Sequence, residues 1–99
     1  MIDADSLVDN EFLRQFEYTY QNELATIEYA LQDRKIFLTK LHIPESIEND
    51  EFEFHFIKLV LDKIKENDSL SVMPTHAKIV KFIRKNRLYK SMLPIGVRI

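Results

Sequence analysis

Between residues 15 and 31 apolar and polar positions alternate. Phe16, Tyr18 and Tyr20 fall on one side and Glu17 and Thr19 on the other. A period of two predicts a half-buried strand over 15–20. "QNE" (21–23) supplies a polar turn, after which Ala25, Ile27, Tyr29 and Leu31 share a face in "LATIEYAL" (24–31). "QDRK" (32–35) makes a second turn into "KIFLTKLHI" (35–43), a more continuously apolar strand and the one expected to be most buried. Two short turns joining three strands imply an antiparallel meander.

The period changes near Asp50. Phe52, Phe56, Val60 and Ile64 recur every four residues with Ile57 and Leu61 beside them, which predicts an amphipathic helix to about Glu66. "ENDS" (66–69) ends it without glycine, and "LSVMP" (70–74) reads as a short buried strand closed by proline. A second helix is expected over 75–87, with Ile79, Val80 and Ile83 inward. "LPIGVRI" carries a turn signal at Pro94 to Gly96 and predicts an edge strand or a docked tail. The order βββ-α-β-α describes an α/β (α+β) fold, an antiparallel meander followed by β-α-β-α in a mixed sheet.

Ninety-nine residues suffice for one domain, with 1–12 expected to be a mobile acidic segment. The chain has no cysteine, so disulfides, thiolate nucleophiles and cysteine-ligated metals are excluded. His42, His55 and His76 lack the spacing of a metal site, and no metal is expected. No apolar run approaches the ~20 residues that span a bilayer, and the acidic N-terminus lacks the regions of a signal peptide. A cytoplasmic protein that does not enter membranes is expected.

Charge is unevenly placed. Residues 75–99 hold seven Lys or Arg and no acid, whereas residues 1–74 hold seven bases against sixteen acids. The basic stretch "KIVKFIRKNRLYK" includes Phe82 and Tyr89, a composition that can suit nucleic acid. Ile79, Val80 and Ile83 are needed inside, however, so the bases read as a solvated face. That face could also pair with the acidic N-terminal segment of a second copy, which makes a homodimer or a protein partner the expected association.

Several pieces of the chain resemble the small, single-domain members of the GNAT superfamily of N-acetyltransferases. "ATIEYALQDRKIFLTKLHIPESI" is similar to their A-x-I-x-Y-x-x, turn, I-x-I-x-H-T-x-V-P-x-x-L segment. "FEFHFIKLVLDKIKEND" falls where they have a glycine-led helix, and "LSVMPTH" where a strand ends in P-x-C. "VKFIRKNRLYKSML" resembles their K-x-I-x-x-H-P-E-Y-x-x-L tail. The resemblance runs from about Phe16 to Leu93 and implies a three-layer GNAT-like acyl-CoA N-acyltransferase fold. It further implies acetyl-CoA as cofactor and transfer of an acetyl group to an amine. The pantetheine arm would lie in a splay between strands, near Leu41 and Ile43. The pyrophosphate would lie at a helix start, at Asn49, Glu51 and Glu53. Lys40 stands at the family's histidine position and His76 at its cysteine position, which makes these two the catalytic candidates.

The departures fall on those same positions. Where the family has a glycine-rich loop, this chain reads Glu48, Asn49, Asp50, Glu51, Phe52, Glu53. Orphan N–H groups and the positive end of a helix attract anions, and glycine lets a phosphate approach the backbone. One carboxylate about 6 Å from a phosphate charge costs ~1.4 kcal/mol at an effective dielectric near 40. The same residues suit a helix start: Asn49 is a good N-cap, and acids in the first turn interact favourably with the dipole. The residues therefore point to an anion site filled from within, and to an activity lost or altered. A divalent cation at this loop is the weaker alternative, because its acids follow no recognised calcium-loop pattern. His76 opens the second helix, where the helix start favours a neutral imidazole, either as a general base or as a capping residue.

Overall fold

A computed structural model describes residues 6–67 and 69–99. Five strands, β1 (Val8–Asn10), β2 (Gln15–Tyr20), β3 (Glu23–Gln32), β4 (Lys35–His42) and β5 (Ser71–Pro74), form one sheet in the order β1-β2-β3-β4-β5. β1 to β4 run antiparallel, and β5 lies parallel to β4 after a crossover through α1 (Asp50–Lys65). α2 (Ala77–Lys85) follows β5 and leads into a 3₁₀ segment, Arg87–Met92. The chain is thus an α+β protein with a mixed, open, five-stranded sheet.

The meander closes through two-residue turns. Tyr20 pairs with Glu23 and Gln32 with Lys35, leaving Gln21-Asn22 and Asp33-Arg34 as the connections. All four turn residues have positive φ, between 51° and 64°. That conformation matches the twist of the flanking strands and is usually supplied by Asn-Gly or Asp-Gly. Here it is imposed on Gln, Asn, Asp and Arg side chains.

The buried strand residues all face one way: Phe16 and Tyr18, Ala25, Ile27 and Tyr29, Ile36 and Leu38, and Val72. α1 covers that face with Phe52, Phe56, Ile57, Val60, Leu61 and Ile64, all buried. Burial of an aromatic or aliphatic side chain of this size stabilises by about 1.5–3 kcal/mol. α2 lies alongside, with Phe82 packed 5.2 Å from Phe54 of α1.

The opposite face is open. Leu24 and Ala30 are exposed there, and Phe37 and Met73 only half-buried. The expectation that the third strand would be most buried therefore fails. β4 buries Ile36 and Leu38 alone, while β3 buries Ala25, Ile27 and Tyr29. Continuous apolarity in "KIFL" reflects a strand with one covered and one uncovered face. Among the described residues the sheet and helices form two layers, one fewer than the resemblance implies.

The end segments take definite places. Within 1–12, Val8–Asn10 forms an edge strand on β2. It is held by Asn10 Nδ2 donating to Glu17 Oε2 (3.1 Å) and by the Tyr29 hydroxyl donating to Asp9 Oδ1 (2.6 Å). Residues 1–5 of the expected mobile segment, and Asp68 within the expected helix stop, lie outside the described residues. At the other end no strand forms over 93–99: Val97 N–H closes a turn onto Pro94 O, and Leu93 and Ile99 pack on the core as a docked tail. No described helix is long and apolar enough to cross a membrane.

Candidate functional site

The register of β4 decides where the candidate residues point. Tyr29 pairs with Leu38 but Glu28 pairs with Lys40, so Thr39 is an extra residue, a β-bulge. Without it, strict alternation would put Lys40 on the core side after Ile36 and Leu38. An unpaired lysine there would be costly. The bulge turns Lys40 to the open face opposite Glu28 and brings Leu41 opposite Ile27. Bulges bend the strand that carries them and recur beside functional sites.

Pairing with β5 stops at the same place. β4 and β5 are in register from Lys35–Ser71 to Leu38–Pro74. Thr75 then clamps the end of the ladder, since its N–H (3.2 Å) and its hydroxyl (2.9 Å) both donate to Leu38 O. β4 continues to His42 with no strand on its β5 side, while the chain after Pro74 turns into α2. Pairing of the two strands thus ends at Leu38, with Thr39–His42 continuing along β4 and Thr75 and His76 leading into α2.

The catalytic candidates beyond the end of the β4–β5 pairing are in different states. Lys40 is exposed. His76 is partly buried and caps α2, its Nδ1 accepting the Lys78 N–H at 3.2 Å. With Nδ1 as acceptor, Nε2 carries the ring proton, and the lone pair a general base would offer is spent on the cap. Of the two apolar cofactor candidates, Leu41 is half-buried against the core and Ile43 belongs to it.

Asn49, Glu51 and Glu53 lie at the start of α1, as the sequence places them. Asn49 Oδ1 accepts the Phe52 N–H at 2.7 Å, and its backbone carbonyl accepts the Glu53 N–H at 3.0 Å. Glu48, Asp50 and Glu51 are exposed around this start. Glu53 turns toward α2 and pairs with Lys78 at 3.1 Å. The hydrogen bond to Glu53, followed by its charge, pushes the Lys78 ammonium up from its ordinary value. A shallow groove of 230 Å³ lies beside this pair, with Phe54 and Phe82 as floor and Lys81 and Lys85 on its rim.

Comparison with known protein families gives no matching family model, and comparison with curated proteins gives no match. What the chain offers is therefore its own geometry. Among the described residues no group of three or more His, Asp or Glu side chains is placed to hold a metal ion.

Sequence reasoning missed Thr39 and Thr75. The signal for the bulge was present, since Lys40 occupies an apolar-phase position of "KIFLTKLHI". Tyr89 proves to be a core anchor, buried and donating its hydroxyl to Asp62 Oδ1 at 2.7 Å.

Proposed function

We propose that this chain is an acetyltransferase-related protein of the GNAT type with an altered cofactor site. One observation carries the reading: the bulge at Thr39 coincides with the end of β4–β5 pairing at Leu38 and Pro74. A parallel pair that opens beside a bulge exposes strand backbone from Thr39 to His42, and backbone amides there can bond the amides of a pantetheine arm. That is the cofactor arrangement which the sequence resemblance implies.

The start of α1 departs from that arrangement. Asn49 satisfies the Phe52 N–H, Glu53 is engaged with Lys78, and three further carboxylates surround the helix start. Coenzyme A would bring its diphosphate against them. Two close carboxylate–phosphate contacts lower affinity by about 100-fold. The reading is therefore a cleft that takes the thioester arm and repels the nucleotide, with acetyl transfer to an amine lost or much reduced.

A second reading, a non-catalytic scaffold acting through protein contacts, is favoured by His76, whose Nδ1 is committed to capping α2. Amide NMR titration with acetyl-CoA, run alongside an assay for acetyl transfer to amines, tests both. Saturable shifts at Thr39 to Leu41 and Thr75 to His76 are expected. Transfer above the uncatalysed rate would remove the scaffold reading, and absence of shifts at the cleft would remove the cofactor reading.

A further inference from the structure

The far end of the sheet holds a larger cavity, 330 Å³, at the beginning of β4 and under the last turn of α1. It is separate from the proposed cofactor cleft, which lies where β4–β5 pairing stops. Its inner wall is apolar: Phe16, Tyr29, Ile36 and Ile64 are core residues, each at most 6% exposed. Leu31 continues the buried face of β3 past the cover of α1 and stays 48% exposed, facing the opening. Concave sites of this size, largely apolar with a few polar groups at the mouth, suit small ligands.

Acids outnumber bases at the mouth. Asp9, Glu11 and Glu66 stand there against Lys63, already paired with Glu66 at 3.6 Å, and against Arg14, whose charge also reaches the Tyr29 hydroxyl. Asp9 is held in place because the Tyr29 hydroxyl donates to its Oδ1 at 2.6 Å. Burial, and after it the bond to Asp9, push the Tyr29 phenol up, so it remains a donor. The Phe16 and Tyr29 rings lie 5.0 Å apart along the wall. The opening also faces the C-terminal turn of α1, the negative end of its dipole. Three carboxylates and the helix end outweigh the two bases and disfavour an anion. The described residues offer no cluster for a metal ion.

We propose that this cavity binds a small amphipathic amine, its apolar body against Phe16, Tyr29 and Leu31 and its ammonium at Asp9 and Glu11. The ring faces add cation–π attraction to the carboxylates. The site does not depend on the cofactor reading, since it shares no residue with the β4–β5 cleft.

Amide NMR titration of the full chain with 2-phenylethylamine tests the assignment, with 3-phenylpropionate as the anionic probe of similar body. Saturable shifts at Asp9, Glu11, Leu31 and Glu66 with the amine, and none with the carboxylate, are expected. Asp9→Asn keeps an acceptor for the Tyr29 hydroxyl, and Glu11→Gln alters an exposed turn residue, so both variants should fold. Each should weaken amine binding by roughly tenfold, the weight of one nearby charge in a partly exposed site. No saturable shift with the amine, an equal response to the carboxylate, or unchanged affinity in both variants overturns the proposal. Shifts at Thr39 to His42 instead would assign the amine to the other cleft and also overturn it.

Discussion

Glu53 Oε1 lies 3.1 Å from Lys78 Nζ, tying the first turn of α1 to the first turn of α2. A lysine beside the start of α1 is thus already matched by a carboxylate of the same chain. Lys78 is half-exposed and Glu53 a quarter exposed, so the pair is worth under about 1 kcal/mol. Urea denaturation of Glu53→Gln should show a loss within that range. A loss well above about 2 kcal/mol would mean that the pair anchors the two helices rather than decorating them.

Asn49 contributes more. Its side chain holds the Phe52 N–H at 2.7 Å, and no other side-chain cap is present at the start of α1. Asn49→Ala should cost about 1 kcal/mol, within a usual range of ~0.5–2. Thermal melting should register a fall of roughly 4–8 °C per kcal/mol for a chain of this size. An unchanged melting temperature would show that the acids of the first turn, not the cap, stabilise this end.

The hairpin turns store strain that substitution can relieve. Arg34 sits at φ 64°, and a left-handed conformation costs an ordinary residue about 1–2 kcal/mol. Glycine removes that cost but adds unfolded-state entropy of about 0.4–1 kcal/mol. Arg34→Gly should therefore stabilise by up to about 1.6 kcal/mol in urea titration, an uncommon direction for a mutation to glycine. Destabilisation would indicate that the arginine side chain makes a compensating contact.

Alkaline pH should weaken the fold in a defined window. Burial, then the bond to Asp62, raise the Tyr89 phenol above its ordinary 10.0, and burial with Asp9 does the same for Tyr29. A phenol whose folded pKa exceeds its unfolded one stabilises fully below the unfolded value. That contribution is lost as pH rises from there through the folded value. Stability attributable to the two tyrosines should be flat from neutral pH to just below 10 and fall above it. Tyr89→Phe and Tyr29→Phe should each flatten the alkaline limb of a pH–melting curve while lowering its plateau. An alkaline limb identical in both variants would assign the loss to other groups.

Much of the architecture was legible because its signals are local. Alternation over 15–20 and 24–31 gave β2 and β3 nearly to the residue, and the four-residue recurrence from Phe52 to Ile64 gave α1. β1 was not legible: "VDN" is too short to show a period, and its contacts, Asp9 to Tyr29 and Asn10 to Glu17, are long-range. α2 stops at Lys85, earlier than its apolar pattern suggests, where Asn86 N–H and Nδ2 both bond Phe82 O. The candidate site was half legible. Asn49, Glu51 and Glu53 were placed correctly at the helix start, but the bulge at Thr39 depends on cross-strand register. Only the misfit of Lys40 hinted at it.

On the function proposed above, the end of β4 takes a thioester arm while the helix start rejects a diphosphate. Calorimetric titration with acetyl-CoA and with acetyl-pantetheine, which keeps the thioester arm and lacks the nucleotide, compares the two halves directly. Acetyl-pantetheine should bind at least as tightly as acetyl-CoA. Acetyl-CoA binding tighter by tenfold or more, with the gain lost when magnesium or salt screens the phosphates, would contradict it.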